Sequence, residues 1–298
     1  MPNSEQARKI AEGQGFIAAL DQSGGSTPKV LRNYGVAEDQ YDGDDEMFDR
    51  MHAMRERIVT SEAFGGGRVI GAILFEQTLG RTFGGKPAAS YLWDTKRVVP
   101  FLKIDKGLAD EDGGMQLMNP IPGLGETLER AHGLGVFGTK ERSVIGRADE
   151  AGIRKVAAQQ FEVGRQVLAN DMVPILEPEV SISISDKREA ETMLRDALLE
   201  GLEAVPEGQR IMFKLTLPEE ANLYEGLVDH PKVLAVVALS GGYSQEEANR
   251  RLAQNRGMIA SFSRALAEGL RADMSAEAFD SKLDATIQSI RDASVAGR

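Results

Sequence analysis

The 298-residue sequence predicts a closed (β/α)8 TIM barrel, and three observations carry that prediction. Eight short apolar, β-branched segments recur, at 15–22, 69–76, 98–105, 136–143, 172–179, 210–217, 233–240 and 258–265. Continuous apolar runs of this kind suit parallel strands covered on both faces. Amphipathic helical stretches separate most of them, with no long hairpin signal, so strand and helix alternate eight times. No linker rich in Pro, Gly or Ser divides the chain, so residues 1–298 read as one barrel domain. On alternation alone an open doubly wound sheet stays the alternative.

Taken in order, the segments share a pattern of charge. GFIAALDQ is apolar until Asp21, VIGAILFE until Glu76, and VVPFLKID until Lys103 and Asp105. VFGTKERS carries Lys140 and Arg142, MVPILEPE carries Glu177 and Glu179, and RIMFKLTL encloses Lys214. VLAVVALS runs into Ser240-Gly241-Gly242, and MIASFSRA carries Arg264 on the eighth strand. Spacing by two puts Lys140 with Arg142, and Glu177 with Glu179, on one side of their strands. In a barrel the C-terminal ends of the strands hold the active site, so these groups should converge on one pocket. A single charge at a strand end is ordinarily the protein's edge meeting water. Repetition at one end, with the other ends largely apolar or neutral, argues for a site instead.

The helices follow from periodicity. Residues 155–169 place Val156, Phe161, Val163, Val167 and Leu168 along one side. Residues 187–205 do the same with Met193, Leu194, Ala197, Leu198, Leu202 and Val205, and Asp186 with Glu189 is spaced as a capping pair. Ser244 and Glu247 form a second capping box, opening a helix that runs towards Arg256.

Composition bounds the function. Net charge is −11, which disfavours nucleic acid and acidic lipid as partners unless cations cluster locally. No apolar run approaches the roughly 20 residues that span a bilayer, and the polar N-terminus has no signal core. The chain has no Cys, which removes disulfides, thiolate metal sites and cysteine nucleophiles and fits the cytoplasm. Its three histidines, His52, His132 and His230, are scattered away from the strand ends, so no zinc site is expected. An all-carboxylate magnesium site from Asp21, Asp105, Glu177 and Glu179 is disfavoured by the neighbouring lysines.

Lys214 is the sharpest single signal, since it lies between Phe213 and Leu215 inside a strand. Buried lysine is rare unless paired or functional. Burial and a nearby cation such as Lys140 would make a neutral, nucleophilic amine available. A structural pairing with Glu177 or Asp21 is the competing explanation. Ser240-Gly241-Gly242 with Arg264 suits the phosphate site that barrels build after strands seven and eight.

The segments ALDQSGGSTPKVL (19–31), LKIDKG (102–107), GTKER (138–142), VPILEPE (173–179), MFKLTLP (212–218), LSGGYSQEEAN (239–249) and SFSRAL (261–266) together resemble class I fructose-1,6-bisphosphate aldolases, most closely their short bacterial branch. The resemblance implies a metal-independent lyase of glycolysis and gluconeogenesis that needs no cofactor. It implies sugar phosphates as partners, and it suggests a homo-oligomer. By position, Lys214 would form the Schiff base and Glu177 would be the principal proton donor and acceptor. Asp21 and Lys140 would flank the imine. Ser240, Gly241, Gly242 and Arg264 would hold the phosphate of the dihydroxyacetone half. Ser23, Ser26, Lys103 and Arg142 would surround the second phosphate or the sugar hydroxyls. Three departures stand out: Gln22 where an acid often follows the first Asp, Ser263 where animal members have Gly, and a C-terminus without Tyr.

Two further readings compete. A Schiff-base aldolase for another ketose phosphate would share every motif, and a barrel isomerase would use Glu177 as base and leave the Lys214 amine idle. A catalytically silent scaffold would have no use for a buried lysine.

Overall fold

The computed structural model describes residues 2–23 and 27–297. Eight parallel strands follow one another in chain order and form a nearly closed barrel. They are β1 (Phe16–Leu20), β2 (Val69–Leu74), β3 (Val99–Lys103), β4 (Gly138–Ile145), β5 (Val173–Val180), β6 (Ile211–Thr216), β7 (Val233–Leu239) and β8 (Met258–Ala260). Every predicted segment overlaps one of them, with β4 and β5 running past their predicted ends at 143 and 179 to Ile145 and Val180. The eighth is shorter than expected. β8 ends at Ala260, and Arg264 opens the short helix Arg264–Ala267 rather than lying on a strand. At the seam between β8 and β1, the Ala19 N–H donates to the Phe262 carbonyl at 3.4 Å.

Side-chain alternation sorts the strand residues into two cores. Ile17, Ala19, Ile73, Val99, Phe101, Ile175, Met212, Val237 and Ile259 pack together inside the barrel. Phe16, Ala18, Leu20, Leu102, Leu176, Phe213 and Leu215 turn outward against the helices. The interior is filled by interdigitating large and small residues. A Cβ added at Gly71 would stand 3.1 Å from the Phe101 ring, and one at Gly138 would stand 3.0 Å from it. The barrel is therefore a packed core and not a pore below its mouth.

Helix α1 (Ser4–Glu12) packs against β2, β3 and β7, and its Ile10 joins the interior cluster from the end where the strands begin. The outer layer includes α2 (Thr27–Tyr34), α3 (Gly43–Thr60), α4 (Leu124–Gly133), α5 (Glu150–Ala169), α6 (Lys187–Gly201), α7 (Gln245–Leu252) and α8 (Ala276–Ala296). α8 packs on both β8 and β1 and buries Phe279, Leu283, Ile287 and Ile290 over the seam. Arg57 of α3 secures the approach to α8, donating to the Ala272 and Met274 carbonyls at 3.0 and 2.6 Å.

One predicted cap forms and one does not. Ser244 accepts from the Glu247 N–H at 3.2 Å, as its spacing predicts. Asp186 makes no cap bond to its own helix. Its carboxylate instead accepts from the Ala148 N–H at 2.8 Å, in the loop after β4, and is taken up there. α6 is also shorter than predicted: a 3-10 turn takes over at Leu202–Ala204.

Candidate active site

The strand period dictates which side chains reach the mouth. Counting in twos from the interior residues Ile17, Ala19, Val99, Phe101, Ile175 and Met212 leads to Asp21, Lys103, Glu177 and Lys214. On β4 the same count from Gly138 leads to Lys140 and Arg142. All six line one cavity of about 980 Å³ at the C-terminal ends of the strands.

Lys140 is its electrostatic centre. Its Nζ lies 2.7 Å from Asp21 Oδ2, 2.9 Å from Glu177 Oε2 and 3.9 Å from Asp105 Oδ2. Glu177 bridges two lysines, since its Oε1 is 3.0 Å from Lys214 Nζ. Lys103 completes the group, 2.7 Å from Asp105 Oδ1. Three cations and three carboxylates thus balance on the cavity floor. Lys140 and Lys214 are 2% and 4% exposed, so these pairs work in low dielectric, where they are strong. Burial alone would push the Asp21 carboxyl up, but Lys140, Lys214 and Lys103 together hold it far below the ordinary carboxylate range. Burial opposes the charge on Lys140 too, and Asp21, Glu177 and Asp105 overcome it, raising that ammonium well above the usual lysine range. Lys140 is therefore a fixed cation. Lys214 touches a single carboxylate, that of Glu177.

Higher in the cavity, Arg142 pairs with Glu179 at 2.5 Å. Burial would weaken the Arg142 charge, but Glu179 and Glu177 strengthen it. Ser240 and Gly241 follow β7, and the Tyr243 N–H closes their turn onto the Ser240 carbonyl at 3.0 Å. Gly241 and Gly242 both adopt positive φ there, +60° and +122°, which favours glycine. Gly241 lines the cavity and Gly242 does not, so Gly242 shapes the turn. Ser23 also lines the cavity. Ser26 and the Arg264 side chain lie outside the described residues.

Several cavity residues carry no site assignment from the sequence. Asp105, in the sequence a strand-end charge and a disfavoured magnesium ligand, pairs with both Lys103 and Lys140. Lys29 and Asn33, one turn apart on α2, also face the cavity. Their i,i+4 spacing just after the Ser- and Gly-rich sequence 23–26 is the available signal. Gln22 and Ser263, read only as departures, line it too.

Among the described residues, no group of three His, Asp or Glu side chains is arranged to hold a metal ion. The carboxylates nearest one another are already occupied by the Lys140 and Lys214 ammonium groups. His52 lies elsewhere, stacked on Phe83 at 5.4 Å.

No family model matches the chain. A Synechocystis protein, "Fructose-bisphosphate aldolase class 1", is 54% identical over 294 residues, covering 99% of this chain and 98% of the relative. Among solved structures, a fructose-bisphosphate aldolase from Plasmodium falciparum superposes with a TM-score of 0.78 at 21% identity, covering 98% of this chain and 93% of that one. A Corynebacterium glutamicum protein does so with a TM-score of 0.57 at 12% identity, covering 98% and 92%. The two structural likenesses establish the barrel fold. The sequence identity, extending over nearly the whole of both chains, establishes that this chain belongs to the class 1 fructose-bisphosphate aldolases.

Proposed function

We propose that this chain cleaves fructose 1,6-bisphosphate reversibly to dihydroxyacetone phosphate and glyceraldehyde 3-phosphate, through an imine on Lys214 and without a metal. The observation that carries the reading is the 3.0 Å contact between Lys214 Nζ and Glu177 Oε1 on the buried floor of the cavity. That distance suits proton transfer, so Glu177 can take a proton from the ammonium and release a nucleophilic amine.

The neutral amine adds to the C2 ketone of the open-chain sugar. Glu177 returns the proton to the carbinolamine hydroxyl, which leaves as water and yields the protonated imine. Asp21, held ionised by its lysines, is the base for the C4 hydroxyl. Loss of that proton forms the aldehyde as the C3–C4 bond breaks, and the bonding pair passes into the imine to give an enamine. Protonation at C3 and hydrolysis of the imine release dihydroxyacetone phosphate and restore Lys214. Lys140 keeps Asp21 and Glu177 in place and stabilises the anionic form of Asp21. Ser240, Gly241 and Arg264 hold the phosphate next to C1. Ser23, Ser26, Lys103 and Arg142 face the other end of the substrate, with Lys29 added by the cavity lining. The reading treats residues 1–298 as one catalytic domain in a cytoplasmic, homo-oligomeric enzyme. Sedimentation velocity and cell fractionation test the last two points.

The deciding experiment is incubation with fructose 1,6-bisphosphate and EDTA, then sodium borohydride, then peptide mass spectrometry. An adduct on Lys214, with activity destroyed by reduction and untouched by EDTA, is the expected result. Absence of an adduct, with activity abolished by EDTA, would overturn the reading.

A further inference from the structure

The loops after β1 and β8 meet in a hydrogen bond that the imine chemistry does not use. Gln22 Nε2 donates to Ser263 Oγ at 2.7 Å, joining residues 241 positions apart. Both side chains line the cavity. The bond crosses the barrel seam, where the backbone supplies the 3.4 Å contact between Ala19 and Phe262. Behind it, Arg55 of α3 is 1% exposed and donates to the Gln22 carbonyl and, at 2.9 Å, to Thr78 Oγ1. Gln22 is thus gripped through its backbone from outside the barrel and through its side chain from across the seam.

The donor inventory gives this bond a direction. An amide NH2 only donates, so the serine oxygen is the acceptor and its own O–H proton is left for another partner. Ser263 precedes Arg264 directly and shares the cavity with the Ser240-Gly241 turn. We infer that the Ser263 hydroxyl donates to the phosphate of the dihydroxyacetone half, and that Gln22 is the positioning residue that turns it there. This inference rests on the aldolase reading. A glutamate at position 22 could only accept, so it would draw the serine proton away from the cavity. A glycine at position 263 would leave the Gln22 amide nothing to hold.

The test uses the full chain with fructose 1,6-bisphosphate as substrate and inorganic phosphate as competing inhibitor. Ser263→Ala should raise both KM and the phosphate inhibition constant about ten-fold, and by more than it lowers kcat, because a hydrogen bond to a charged group is lost. Gln22→Met should act in the same direction, and the double variant should be no worse than the weaker-binding single one. Ser263→Thr, which keeps the hydroxyl, should bind nearly as the wild type does. Gln22→Glu should weaken phosphate at least as much as Gln22→Met. Unchanged constants in Ser263→Ala, additive losses in the double variant, or wild-type affinity in Gln22→Glu would each overturn the inference. Borohydride trapping separates the two claims. A wild type without an adduct defeats the aldolase reading, whereas adducts in every variant with unaltered KM defeat only the role of Gln22 and Ser263.

Discussion

Lys140 and Lys214 are the same residue type, both buried and two strands apart, yet their surroundings differ. Three carboxylates surround Lys140 and one touches Lys214. Replacing Lys214 by Met should therefore abolish turnover and the borohydride adduct while leaving the melting temperature near that of the wild type. Lys140→Met should cost stability as well as activity. It leaves buried carboxylates without their counter-ion, a loss of about 3–5 kcal/mol for a broken buried pair, measurable by urea unfolding. The pH dependence follows from the same cluster. The folded Asp21 carboxyl is depressed below its ordinary value of 3.8, so its contribution is complete above that value and is lost as pH falls through the folded one. The folded Lys140 ammonium is raised above 10.5, so its contribution is complete below 10.5 and is lost only in stronger alkali. Asp21→Asn should thus lower stability at neutral pH and shrink the loss seen on acidification, a difference that unfolding curves at pH 7 and pH 3 would record.

At the scale of one strand, β4 shows how alternation divides labour. Lys140 and Arg142 face the cavity, while Thr139, Glu141 and Ser143 face the helical layer and are fully buried. Ser143 accepts from Gln160 of α5 at 2.7 Å, and Thr139 donates to Glu141 at 3.3 Å. Burial, reinforced by the nearby Asp105 charge, pushes the Glu141 carboxyl well up. An acid raised in the folded state binds its proton more tightly there, so folding stability falls as pH rises above the unfolded value. Glu141→Gln should remove that fall, and melting temperatures compared at pH 5 and pH 8 should differ less than in the wild type. The same strand begins at Gly138, where a Cβ would collide with the Val173 carbonyl oxygen and crowd Phe101. Gly138→Ala should destabilise by about 1–3 kcal/mol, the usual cost of overpacking, again read by urea unfolding.

At the scale of the whole molecule, β8 is the shortest barrel strand, and α8 packs over the seam beside it. Leu283 of α8 is fully buried there. Leu283→Ala should cost about 2–5 kcal/mol through lost contact and a residual cavity, measured by the same denaturation. A merely exposed leucine would show a loss below about 0.5 kcal/mol. Since the seam also carries Gln22 and Ser263, loosening it should raise KM before it affects imine formation.

The sequence by itself determined the eight strands and which of their residues face inward, because apolar runs and a period of two are local properties. It also marked Lys214, Glu177, Asp21 and Lys140, since charge inside apolar strands is costly and their motifs resemble one family's. Only the tertiary structure decided the partners. That Lys140 sits among three carboxylates, that Asp105 closes the cluster, that Asp186 caps nothing and that Gln22 reaches Ser263 all depend on contacts between distant strands and loops. Such contacts are set by barrel closure and register. A one-dimensional pattern reveals which face a side chain occupies, but not which side chain stands opposite.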